Sequence, residues 1–400
     1  MKALFFENKI AKVVLLKAAS FFDKFAALGP LSPLKYEEVP EPQLPNPRWL
    51  KVKNIACGLC GTDVHFMFME MDPKVFHAAM PGIERKYLGH ELLAEVVEVG
   101  TEVDGFAVGD RVALRVDWPS CRQMEIDPPC RQCAEGNYLL CENYGAKPYP
   151  TINTGGGFSP YMIMHQSQPF RIPEALSNDR ALLIEPTACG IHGVLRRKPK
   201  PGENVLVIGA GTIGLLTIAA AKWIEPEAKV TALARYPFQA ELATALGADN
   251  IINDGKELYR RIADATGARY IKGHFGNEIL LGGYDVIYDS VGSDGSIHNA
   301  LRFARARGDV VILGINYTPG KIDYSPIWGQ EVTLHGMNSH AFEQDGRGSF
   351  EMAAQLLAEV DAPFEKLLTH RFKMDDFRDA VRLFKSKSNA GAVKIVLEHR

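Results

Sequence analysis

The chain has 400 residues, 46% of them hydrophobic and 23% charged, and carries a net charge of −3. That length suits two domains better than one core, and the near-neutral charge gives no electrostatic reason to expect a nucleic-acid partner. No basic segment followed by an apolar run and a small-residue cleavage site opens the chain, and no apolar stretch is long enough to span a bilayer. The cytoplasm is the expected compartment, with no membrane partner.

In chain order, the first unusual segment is residues 9–28. Val14, Ala18, Phe21, Phe25 and Leu28 recur at alternating spacings of four and three, punctuated by Lys9, Lys12, Lys17 and Lys24. This is an amphipathic helical pattern. It predicts a helix packed on its own domain or on a second subunit, with a lid or a membrane-surface contact as the sharper alternative. Up to about residue 175 the chain then reads as short strands and turns, with apolar runs at 50–56, 92–99 and 111–116. From 200 to 335 strands alternate with helices: strand-like runs at 205–208, 230–233, 285–288 and 310–313, helical patterns at 213–223, 238–246 and 297–306. Such alternation implies a parallel sheet with crossover helices. A helix at 349–359 and an apolar strand at 392–397 close the pattern.

Strand 205–208 runs into Gly209, Ala210, Gly211, Thr212, Ile213 and Gly214, a G-x-G-x-x-G turn that opens a helix. Gly209 permits the tight turn, Gly211 lets backbone approach a pyrophosphate, and Gly214 lets helix and strand sit close. The helix N-terminus offers free N–H groups to the phosphates of a nicotinamide dinucleotide. At the end of the next strand, where an acid would bond the ribose of NAD, stand Ala234 and Arg235. No carboxylate repels a 2′-phosphate and a guanidinium is at hand to bind one, so NADP(H) is expected over NAD(H). Gly314 and Ile315, after strand 310–313, are also assigned to the cofactor.

The seven cysteines are Cys57, Cys60, Cys121, Cys130, Cys133, Cys141 and Cys189. An odd number in a chain this long argues against a disulfide scaffold, and the crowding at 130–141 argues for metal. Cys57, Gly58, Leu59, Cys60, Gly61, Thr62 and Asp63 are followed by His65, and further on by Gly89, His90 and Glu91. Thiolate and imidazole are good zinc ligands, and a catalytic zinc needs only three protein ligands because it keeps one position open.

These motifs, with Glu185-Pro186, the glycine turn and the run Leu246, Gly247, Ala248, Asp249, resemble the zinc-containing medium-chain dehydrogenase/reductase family of alcohol, sorbitol and threonine dehydrogenases. The resemblance covers nearly the whole chain. It implies an α/β protein: a GroES-like, mainly β catalytic domain from residues 1–184 and 336–400, with a structural zinc lobe at about 117–145, and a Rossmann doubly wound parallel-sheet domain at 185–335. It implies Cys60 and His90 as catalytic zinc ligands, and Glu91 as a neighbouring carboxylate, either ligand or support. Glu185 is taken as the third ligand, directly or through water, and Asp63 as the group that fixes the His90 ring. Thr62 and His65 are placed to move the substrate proton.

The family's structural lobe has four cysteines, and here the first falls on Asp127. Either Cys121 loops in to join Cys130, Cys133 and Cys141, or Asp127 supplies an oxygen; Cys121 is favoured, since structural zinc prefers sulfur and nitrogen. The loop at 66–71 with Val75, Phe76 and Met80 is a candidate substrate lining, or a core-packing loop. The run 334–340 is expected near the nicotinamide, from the other domain. The expected partner is a small hydroxyl or carbonyl substrate, with Glu185-Pro186 favouring polyols, sugars or amino alcohols, and the expected assembly is a homodimer or homotetramer. The other readings are a zinc-free enoyl or quinone reductase of the same superfamily and a non-catalytic, cofactor-binding structural protein.

Overall fold

The computed structural model describes residues 1–76, 85–116, 119–147, 153–343, 346–386 and 390–399. Met80 and the first residues of the expected zinc lobe lie outside them. The chain divides into two compact units, one of Met1–Glu185 with Leu368–Arg400, the other Pro186–Leu367. No helix of the described residues is long and apolar enough to cross a membrane.

The first unit is built on a seven-stranded sheet. Its order is Leu368–Lys373, Lys394–Glu398, Trp49–Gly58, Glu91–Val99, Arg111–Leu114 and Pro169–Arg171, with Tyr161–His165 also paired to Trp49–Gly58. Only the first of these pairings is parallel; the others are antiparallel. Leu50, Val52, Leu92, Ala94, Val96, Val112 and Met164 feed one apolar core, closed by Phe377, Val381 and Ile395 from the C-terminal segment. Burying these side chains at about 25 cal/mol per Å² is the main force that holds the segments together.

The second unit carries a six-stranded parallel sheet ordered Asn250–Asn253, Lys229–Ala234, Asn204–Ile208, Tyr284–Asp289, Ala304–Ile312, Thr333–Gly336. Strand order reverses at Asn204–Ile208, and that switch is where a doubly wound sheet binds its ligand. Val205, Leu206 and Val207 are fully buried, as expected of a strand covered on both faces. Helix Thr212–Ile224 is buried along an unbroken stretch from Gly214 to Ala221.

The return to the first unit comes at Leu368, not at 336. The intervening segment is held within the second unit by its own contacts. His192 Nδ1 lies 2.9 Å from Glu343, Cys189 Sγ 3.3 Å from Ser339 Oγ, and helix Ser349–Glu359 buries Phe350, Met352, Leu356 and Leu357. The run 334–340 therefore belongs to the unit that carries the glycine turn. The helix expected at 297–306 is shifted three residues towards the N-terminus: it spans Asp294–Phe303, and Ala304 to Ala306 start the next strand, Ala304–Ile312. A hairpin of Arg269–Lys272 and Glu278–Leu281 was not evident in the sequence.

The amphipathic segment departs most. Its helix spans only Ile10–Ser20, followed by a 3-10 turn at Ala26–Leu28. Leu16, Ala27 and Leu28 point inward, whereas Val14 is 63% and Phe21 89% exposed. The apolar stripe is split between core and solvent rather than packed on its own domain.

Candidate active site and second metal centre

Strand Trp49–Gly58 delivers Cys60 to the N-cap of helix Gly61–Met67. Asp63, in the first turn, closes the capping box by accepting from the Cys60 backbone N–H at 3.2 Å. Its other oxygen accepts from Gly89 N–H at 3.0 Å and faces His90 Nδ1 at 3.5 Å. One buried carboxylate thus ties together two segments distant in sequence. Gly89 has φ of +86°, and a Cβ there would meet Phe158 N at 2.8 Å, so only glycine lets the chain present His90 in this way. Burial opposes charge on both partners. The mutual attraction of Asp63 and His90 nevertheless holds the carboxyl below its usual range and the imidazole well above its own.

Cys60, His90 and Glu91 bring one ligand atom each to within 4.8 Å of one another. Cys57 stands outside that group, fully buried, with burial pushing its thiol well up. Glu91 also meets Lys394, whose Nζ donates to Oε2 in a buried ion pair. The two residues come from strands on either side of Gly58, where a Cβ would collide with Glu91 Oε2 at 2.2 Å. A side chain at Gly58 would close the path between them. Glu185 is buried at the start of helix Ile184–Arg196 and interacts electrostatically with Lys394, but is not part of the close group.

Thr62 and His65 lie one turn apart on helix Gly61–Met67, both partly exposed. His65 Nδ1 is 2.7 Å from Glu70 Oε2, and Glu70 accepts in turn from Lys385. Sequence reasoning missed Lys394, Glu70 and Lys385. A single lysine inside the apolar run 392–397 was the one available signal.

The second centre is sulfur alone. Cys121, Cys130, Cys133 and Cys141 each bring Sγ to within 4.8 Å of the others. Cys121 to Cys141 is 3.8 Å and Cys130 to Cys141 is 4.0 Å. Four sulfurs about 2.3 Å from one tetrahedral centre stand about 3.8 Å apart, so the spacing fits zinc. The cysteines are free rather than disulfide-bonded. Backbone N–H groups of Cys133 and Glu142 donate to Cys130 Sγ at 3.4 Å, and Cys130 N–H donates to Cys121 Sγ at 3.3 Å. Burial opposes ionisation of Cys130, but those N–H donors outweigh it and bring the thiol down to about 6. Of the two ways to complete this group, Cys121 rather than Asp127 stands with the other three.

In the second unit Gly211 caps helix Thr212–Ile224, and a Cβ there would meet nothing within 4 Å, which leaves open space above the helix N-terminus. Gly214 has the opposite constraint: a Cβ would lie 1.8 Å from Gly209 O. Gly209 turns with φ of +88°, its carbonyl held by Ser290 Oγ at 2.8 Å. Ala210 is buried, while Thr212 and Ile213 are partly exposed in the first turn. Ala234 is buried at the strand end and Arg235 is exposed beside it. Gly314 packs against Gly292, where a Cβ would meet Gly292 N at 2.2 Å, and Ile315 is exposed. The open cradle at Gly211, the donor-lined helix start and the close strand–helix contact fit a dinucleotide pyrophosphate.

Residues 46–174 match the alcohol dehydrogenase GroES-like domain, and residues 212–359 match the zinc-binding dehydrogenase domain. The chain is 28% identical to the sorbitol dehydrogenase of Bacillus subtilis over 363 residues, covering 90% of this chain and 92% of that one. It is 31% identical to the L-threonine 3-dehydrogenase of Escherichia fergusonii over 371 residues, 88% and 96% of the two chains. Among solved structures, a zinc-binding dehydrogenase from Sinorhizobium meliloti 1021 bound to NADP superposes with a TM-score of 0.68 at 29% identity, over 91% of this chain and 95% of that one. With GroES-like and Rossmann-type folds in its two units, the chain belongs to the zinc-containing medium-chain dehydrogenase/reductase family and is a dehydrogenase of the alcohol and polyol type.

Proposed function

We propose that the chain oxidises a hydroxyl group of a polyol, sugar or amino alcohol, and reduces the matching carbonyl, with NADP(H) as cofactor. The observation that carries this reading is the convergence of Cys60, His90 and Glu91. Thiolate, imidazole and carboxylate make three protein ligands, and three leave a position for the substrate. A zinc ion held by these residues would supply a Lewis acid for the substrate oxygen, and a bound nicotinamide would supply the hydride acceptor. The protein's own residues do the rest. Asp63 orients His90 and the Cys60 turn. Glu91 would be the third ligand, and Glu185, which shares Lys394 with it, a further carboxylate able to meet the metal directly or through water. Thr62 accepts from the substrate hydroxyl, and His65, 42% exposed, passes the proton to solvent. Cys121, Cys130, Cys133 and Cys141 hold a second, structural zinc.

The presence of Cys60, Thr62, His65 and His90 together disfavours a non-catalytic protein, and the two thiolate-bearing centres disfavour a zinc-free reductase. They also suit a reducing compartment, the cytoplasm. A homodimer or homotetramer is checked by light scattering. Arg235 carries the NADP preference; the NADP in the Sinorhizobium meliloti relative supports it. Assays with polyols, sugars and amino alcohols, using each cofactor at equal concentration, test the whole reading. Arg235→Ser should raise KM for NADP+ about tenfold or more and leave NAD+ unaffected. A strong preference of the wild type for NAD+ overturns the cofactor assignment. Turnover unaffected by zinc removal overturns the chemistry.

A further inference from the structure

The helix Ile10–Ser20 has its faces in an unusual arrangement. Leu16 is buried against the first unit, with Lys12, Val13 and Ala19 partly covered beside it. The face turned to solvent is the apolar one. Ile10 is 81% exposed, Val14 63%, Leu15 46%, and Phe21 and Phe22, just past the helix end, 89% and 95%. Ile10, Val14, Ala18 and Phe21 follow one another at helical spacing along that face. Single exposed apolar residues are common and need no explanation; a continuous stripe ending in two bare phenyl rings is a contact surface.

Charge says what it contacts. Residues 9–24 contain four lysines, Lys9, Lys12, Lys17 and Lys24, and one acid, Asp23. Lys9 and Lys12 share the carboxylate of Glu7, and Asp23 is engaged by the Phe25 N–H at 2.8 Å. Lys17 and Lys24 are exposed at the margin of the stripe, Lys17 Nζ donating to Met71 O at 3.4 Å and Lys24 Nζ lying over the Phe25 ring at 5.0 Å. Docked on a second copy of itself, this face would set lysines against lysines. Its area is also too small: an 11-residue helix is about 16 Å long and about 10 Å across, well below the roughly 800 Å² per partner of a stable protein interface. A few inserted aromatic side chains with lysines at headgroup level are, by contrast, sufficient for an interfacial helix on an anionic bilayer.

We propose that Ile10, Val14, Phe21 and Phe22, flanked by Lys17 and Lys24, form a peripheral docking surface for an anionic lipid bilayer. The helix lies on the membrane and does not span it. This goes beyond the dehydrogenase reading and does not depend on it.

The test is co-sedimentation of the zinc-loaded full chain with phosphatidylcholine vesicles containing phosphatidylserine, and with phosphatidylcholine alone. Binding to the anionic vesicles, weakened by salt and absent from the neutral ones, is the expected result. Phe21→Ser with Phe22→Ser should abolish it. Lys17→Glu with Lys24→Glu should weaken it about 25-fold or more, since each lysine near an anionic leaflet contributes about fivefold. Unchanged circular dichroism and melting temperature show that both variants fold. Failure to sediment with anionic vesicles overturns the proposal, as does sedimentation of the double phenylalanine variant at wild-type level. A self-association in lipid-free buffer that the phenylalanine changes dissolve, with no vesicle binding, assigns the face to a second copy and also overturns it.

Discussion

The two sulfur-bearing centres of the first unit are made of different materials. One brings together thiolate, imidazole and carboxylate from two segments locked by Asp63, with Cys60 and His90 partly open to solvent. The other closes four sulfurs on one another and satisfies them with backbone N–H groups. A mixed, incomplete set leaves room for a reacting ligand; a complete set of thiolates does not. Under the proposed assignment the same metal would serve chemistry in one place and architecture in the other, with the ligand count deciding which.

The sharpest way to break that comparison is to remove one ligand from each centre. Cys60→Ser or His90→Ala should lower kcat/KM by more than about a thousandfold, because several kcal/mol of transition-state stabilisation goes with the metal. Zinc content should fall by one ion per chain, with the melting temperature little changed. Cys133→Ser should do the reverse. It should lose the other ion and about 4 kcal/mol of stability, as loss of a structural metal typically does, while the molecules that remain folded turn over normally. Elemental analysis of the wild type should find two ions per chain. A single ion, retained in Cys133→Ser, removes the second centre and the comparison with it.

Asp63→Asn gives a smaller and more selective effect. The amide keeps only one acceptor oxygen, so either the Cys60 or the Gly89 N–H bond is lost at a cost of about 1 kcal/mol, and it brings no charge to His90. Groups that hold a metal ligand from behind are typically worth about 10- to 100-fold in metal affinity or activity. Zinc affinity at the first centre should fall in that range, and competition with a chelator reads it directly. The cysteine centre, which has no such carboxylate, should be untouched.

How much of this was legible in the sequence follows from chain separation. Cys130 and Cys133 are three residues apart and Gly209 to Gly214 form one turn, so local spacing alone reveals them. Cys121 was one of two options because its partner set closes across a loop, and only the fold brings its sulfur within 3.8 Å of Cys141. Lys394 meets Glu91 across 303 residues and Lys385 meets Glu70 across 315, separations at which no periodicity speaks. The segment 9–28 shows a different limit. Spacing reveals that a stripe exists, but whether it faces core or solvent depends on what the rest of the chain puts behind it. The end of the second unit shows the same limit, since His192, Trp223 and Cys189 hold residues 339–359 to it through contacts the sequence does not display.

The smallest expected effect concerns the proton path that only the first centre needs. Glu70 is drawn down to about 2, first by the hydrogen bond from His65 and then by Lys385 against the opposing effect of burial. A depressed carboxyl stabilises the fold above its ordinary value of 4.5 and loses that contribution only as pH falls through about 2. Glu70 is therefore ionised throughout the neutral range, and a pH dependence of turnover there cannot originate in it. With both side chains more than a third exposed or close to it, solvent screens the pair, and Glu70→Gln should cost less than about 1 kcal/mol of stability. His65→Gln, by contrast, removes the group proposed to carry the substrate proton. It should slow turnover more at low pH, where the hydroxyl gives up its proton reluctantly, than at high pH, where solvent base takes over. If His65→Gln slows turnover equally at every pH, His65 positions the helix and does not move the proton. The first centre then discharges its proton by another route, while the cysteine centre, which has no proton to discharge, is unaffected by either substitution.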